Sequence, residues 1–146
     1  MNDICTSVEH SKKLLELGID VKTADMWWAE RYEGRVTENG QYIVAEEPYY
    51  YPSLIKPSDN NYSQDTIKDI PAWTLTALEQ LMPFHIIENN ERYGFGQWKG
   101  LNARGETYCF QYKSNTEECL YETIHWNNPL NAAFEMVCWL KENGKI

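Results

Sequence analysis

The chain has no Cys-x-x-Cys pair, no basic run longer than Lys12-Lys13, and only three histidines, His10, His85 and His125. Wide spacing of Cys5, Cys109, Cys119 and Cys138 excludes a zinc ribbon or a thioredoxin-type motif. Neither a Gly-x-Ser-x-Gly elbow nor a P-loop is present. The stretch GFGQWKG, residues 94–100, is one residue too long for a dinucleotide fingerprint and opens no helix, so no cofactor is expected. No apolar segment reaches the length of a transmembrane helix, and no membrane association is expected. The N-terminal residues lack the apolar core of a secretion signal, so we expect reduced thiols and a cytoplasmic location. Without secretion, the Asn61-Tyr62-Ser63 sequon carries no meaning.

Positive charge is also scarce. Thirteen basic residues stand against 22 acidic ones, a net charge of -9, and that field repels a phosphate backbone. Direct nucleic-acid binding is therefore not expected. Aromatic residues are the opposite case: six Trp, ten Tyr and four Phe in 146 residues. A chain of this length suits one domain spanning 1–146, able to bury roughly 70% of its unfolded surface.

Local signals outline the elements. Thr6-Ser7-Val8-Glu9 matches a capping box with Thr6 as N-cap, and Gly18 followed by Ile19 predicts a Schellman end closing on Leu14. A second short helix is expected from Thr23 through ADMWWAERY. RVTENGQYIV, residues 35–44, predicts a hairpin with Asn39-Gly40 as the central pair of a type I′ turn. Residues 46–69 read as a long loop rich in Tyr and Pro, so that 35–69 forms one insertion. In EEPYYYP, alternation sends Tyr49 and Tyr51 to one side and Tyr50 to the other.

Thr74 is placed to cap a helix in IPAWTLTALEQLMP, with Trp73 stapling onto Leu78 and Pro83 as the stop. FHIIE, YGFGQW, ETYCFQYK and ECLYETIHW predict four short strands in an antiparallel meander. A turn at Asn115-Thr116 would set Phe110 opposite Tyr121. Gly94 and Gly96 share a strand face with Trp98, which predicts close packing there. Asn128 and Pro129 open the last helix, Leu130, Ala133, Phe134, Val137 and Leu140 form its apolar face, and Gly144 ends it. The fold class is α+β: a meander of about four strands packed by N-terminal, central and C-terminal helices, plus a hairpin insertion.

Chemistry is sparsely signalled. Glu122 and His125, three apart on one strand, point to opposite faces and so would not share a metal. No catalytic or metal-ligating set is legible.

The segments ELGIDVKTADMWW, IPAWTLTALEQLMP and NPLNAAFEMVCWLKENGKI resemble a family of small uncharacterised proteins encoded in prophages and other mobile elements of gut bacteria. That resemblance implies an accessory role in a mobile element and brings no activity, cofactor or catalytic residue with it. The leading expectation is a non-enzymatic interaction protein in which Trp27, Trp28, Tyr50 and Trp73 line an aromatic groove for a protein partner. Exposed strand edges also suit a homodimer. Two alternatives are a small enzyme with an aromatic-lined pocket and an acidic mimic of DNA.

Overall fold

The computed structural model describes residues 4–54 and 68–146. Its elements run α1 (Val8–Glu16), a 3₁₀ turn (Val21–Thr23), β1 (Met26–Arg31), β2 (Gly34–Val36), β3 (Tyr42–Val44), β4 (Tyr49–Ser53), β5 (Lys68–Ala72), α2 (Leu75–Gln80), β6 (His85–Glu88), β7 (Glu91–Asn102), β8 (Gly105–Lys113), β9 (Cys119–Glu122) and α3 (Pro129–Glu142). The class is α+β, with the four-stranded antiparallel meander β6-β7-β8-β9 as its main sheet.

Helix ends follow local chemistry. Gly18 takes φ +85° while the Gly18 and Ile19 amides donate to the Leu15 and Leu14 carbonyls, so the orphaned carbonyls of α1 are satisfied as a Schellman end requires. The N-cap of α1 is Ser7, which accepts from the His10 amide. Thr6 is instead buried and ties the helix start to the chain before α2: the Trp73 amide donates to Thr6 Oγ1 and the Thr6 amide to the Trp73 carbonyl. Thr74 caps α2 through the Ala77 amide, and Asn128 caps α3 through the Leu130 amide.

The expected second helix is a strand. Only the 3₁₀ turn over Val21–Thr23 is helical, and MWWAER pairs with β4 on one side and β5 on the other. A strand flanked by two partners finds backbone partners along both edges, and aromatic side chains suit that surface better than a six-residue helix does. The expected long loop is correspondingly shorter: Tyr49–Ser53 and Lys68–Ala72 are those flanking strands, in the order β4-β1-β5. The remainder, 55–67, lies outside the described residues.

Turns depart from expectation at two hairpins. The β2-β3 hairpin forms, but its turn is not type I′. Gly40 alone has positive φ, and the Thr37 and Gln41 backbones close the ribbon. The two-residue turn with positive φ at both positions is Asn89-Asn90, joining β6 to β7. At the last hairpin the Ser114 amide bonds to the Glu118 carbonyl and Glu117 takes φ +64°, which sets Tyr112, not Phe110, opposite Tyr121.

The main core lies between α3 and the inner face of the meander, where Phe110 and Tyr112 meet Met136, Val137 and Leu140. Each fully buried large side chain contributes about 2–3 kcal/mol. A smaller cluster of Cys5, Met26 and Ala72, flanked by Trp28, sits on one face of β1. Among the described residues no helix is long and apolar enough to cross a membrane.

Candidate functional site

The four aromatic residues expected to form one groove are dispersed. Trp73 is 0% exposed, packs in the main core with Leu78, and donates its indole N–H to Thr23 Oγ1 at 2.9 Å, so it offers no surface. Trp28 and Tyr50 are half-buried on the same face of the small sheet, since Glu30 pairs with Tyr50 across the ladder. There the Trp28 indole donates to the Thr6 carbonyl at 2.7 Å. Burial and the bonded Glu30 carboxylate raise the Tyr50 hydroxyl above its ordinary pKa. Trp27 lies on the opposite face. Of the three tyrosines of β4, Tyr49 (51%) and Tyr51 (41%) are exposed; their rings stack at 6.3 Å, with the Arg31 guanidinium 5.7 Å from the Tyr51 ring. The alternation of the three tyrosines is therefore as the residues predict.

A second cluster, missed from the sequence, lies on the outer face of the meander. Cys109 is paired across the ladder with Trp98, and Gln111, two residues on, with Glu122, so these side chains share one face. After Glu122 the ladder is interrupted. The Thr123 amide donates to the Phe110 carbonyl, and the Thr123 hydroxyl replaces a backbone carbonyl as acceptor for the Phe110 amide. Pairing resumes only where Trp126 meets Tyr108. Phe110 to Tyr108 spans two steps on β8 while Thr123 to Trp126 spans three opposite it, so one extra residue is inserted, as in a β-bulge. That residue reverses the alternation and returns His125 to the face of Glu122. The expectation that the two point apart is thereby overturned.

The result is a convergence of three donor atoms. Cys109 Sγ donates to Glu122 Oε1 at 3.6 Å, His125 Nε2 lies 3.7 Å from the same oxygen, and all three atoms fall within 4.8 Å of one another. Cys109 is buried, whereas Glu122 and His125 are exposed. Burial, and then the Glu122 charge, push the Cys109 thiol up to about 11. A thiol so placed is protonated near neutral pH and is no ready nucleophile.

Two features hold this face. The Trp98 ring lies 4.9 Å from the His125 ring, and it reaches over Gly100, where a Cβ would fall 2.0 Å from the indole. Glycine at 100 is thus what lets the indole lie along its own strand. On the other side, Glu135 of α3 accepts from the Ile124 amide at 3.3 Å and from the Trp126 indole at 3.0 Å. Both chain neighbours of His125 are therefore anchored.

The β2-β3 hairpin is the third candidate surface. Val36, Tyr42 and Val44 share one face of the two-stranded ribbon with Gly34 and are 68%, 66% and 46% exposed. The Tyr42 hydroxyl lies where a side chain on Gly34 would stand. On its reverse face Glu33, Arg35, Ile43 and Ala45 line an open groove of ≈ 360 Å³. Comparisons with protein-family models, curated proteins and solved structures find no match to this chain.

Proposed function

We propose that the chain is a non-enzymatic interaction protein and that the β2-β3 ribbon, continued by the tyrosines of β4, is its docking element. The observation that carries this reading is the exposure of every residue of the ribbon, Val36, Tyr42, Ile43 and Val44 included. A two-stranded ribbon is marginal in water by itself, and a contiguous apolar surface on it costs free energy until a partner covers it. Exposed Glu33, Glu38, Glu46 and Glu47 flank the ribbon against the single Arg35. Charge complementarity therefore favours a partner protein with an apolar strip bordered by Lys and Arg. The four cysteines are free thiols, which suits a cytoplasmic setting. A role accessory to a mobile element belongs to the same reading and rests on the resemblance of the helical segments.

The test compares the wild-type chain with a Tyr42→Ser/Val44→Ser variant as bait in the native host. Both residues are exposed, so the variant should fold. Stoichiometric capture of one protein by the wild type and its loss in the variant support the docking role. Equal capture by both, or a wild type that stays monomeric and alone, overturns it. Dimerisation of the wild type abolished by the variant would make the partner a second copy.

A further inference from the structure

We propose that Cys109, Glu122 and His125 form a site for one divalent transition-metal ion of the zinc class, with a coordination position left open to solvent. A thiol, an imidazole and a carboxylate are the donor set that such borderline ions take, in contrast to the all-oxygen sets of magnesium and calcium. Separations of 3.6 and 3.7 Å, with the third side no longer than 4.8 Å, put the point equidistant from the three atoms within about 2.4 Å of each. Zinc bonds run about 2.0–2.3 Å, so the donors need draw in by only a few tenths of an ångström.

The supports of the site are built in. Cys109 comes from the middle of β8, paired with Trp98 of β7 on one side, while its neighbours Phe110 and Tyr108 are bonded to Thr123 and Trp126 on the other. His125 is presented by the inserted residue, its ring packed at a tilt against Trp98, and held through its neighbours by Glu135. A ligand whose orientation is set by packing and hydrogen bonds binds with less ordering cost than a free side chain. Exposure of Glu122 and His125 leaves the outer side of the triangle to water, so a bound ion would have three protein ligands and one exchangeable position. Metal entry would displace the thiol proton to solvent and leave a metal-bound thiolate.

Cobalt(II) is the probe, titrated into the fully reduced protein and followed by its thiolate charge-transfer band and the visible bands of tetrahedral coordination. The expected result is saturation at one equivalent, displacement by zinc, loss of the charge-transfer band in Cys109→Ser, and at least about tenfold weaker binding in His125→Gln. Cys119→Ser, which removes the exposed thiol, should bind as the wild type does. Because Cys109 is buried, Glu122→Gln and His125→Gln at exposed positions carry the test if Cys109→Ser fails to fold. Absence of a saturable band, unchanged affinity in both exposed variants, or loss of binding in Cys119→Ser overturns the proposal.

Discussion

The Glu135 carboxylate accepts the Trp126 indole N–H at 3.0 Å, and through that bond the last helix holds the segment that returns from the meander. Its second oxygen takes the Tyr121 hydroxyl at 2.6 Å, and the Tyr121 ring stacks on Trp139 at 4.5 Å. Glu135→Ala removes the acceptor of three donors at once. We expect a loss of about 2–3 kcal/mol in urea unfolding, since hydrogen bonds to a charged group are worth about 1.5–3 kcal/mol each and the vacated site admits some water. A loss under about 1 kcal/mol would show that these bonds are replaced by solvent without cost.

Trp73 and Tyr51 should separate cleanly in stability. Trp73→Ala empties a fully buried site while the Thr23 hydroxyl keeps its bond to the Asp20 carbonyl, an expected cost of about 3–5 kcal/mol. Tyr51→Ala, at an exposed position, should cost less than about 1 kcal/mol. Chemical denaturation of the two variants checks the contrast, and equal costs would refute the assignment of Trp73 to the core.

Gly100→Ala should move the Trp98 indole while leaving the fold intact. The clash falls on the far end of that ring, which can swing away, and the backbone at 100 does not need positive φ. With the ring contact broken, the His125 ring protons lose the ring-current shift imposed by the indole, which proton NMR reads directly. Unchanged His125 resonances would show that the contact does not persist in solution.

Glu117 adopts φ +64°, a conformation that costs a residue with a Cβ about 1 kcal/mol and glycine nothing. Glu117→Gly should therefore raise stability by about 0.5 kcal/mol after the added entropy of the unfolded chain is counted, against a loss for the same change at Glu118. Urea midpoints of the two variants decide the sign.

Alkaline pH should weaken the fold through its thiols. Cys5, Cys109 and Cys138 are each raised from 9.0 to about 11, burial being the first cause in all three. Above pH 9 the unfolded chain loses these protons first, so it binds fewer than the native state and stability falls as pH rises. The contribution is complete below about pH 9 and is lost towards about pH 11. Unfolding free energies across that window, flat rather than falling, would contradict the burial of these groups.

Much of this molecule is decided within a few residues. Gly18, Thr74, Asn128 and Gly144 end or begin helices through bonds to their immediate neighbours, and neighbouring backbone groups are always within reach. The meander, too, is legible, because aromatic and β-branched runs separated by short polar turns leave little other pairing open. MWWAER was not legible in that way. Its helix and strand patterns compete at six residues, and what settles the matter is β4 and β5 arriving from either side. The chemistry of Cys109, Glu122 and His125 depends on one inserted residue, whose presence is a count taken between two strands rather than a property of either. Local sequence therefore determined where the chain turns and which segments are regular, since those energies are short-ranged. Only the tertiary structure decided which residues share a face, because register is set by pairing between segments distant along the chain.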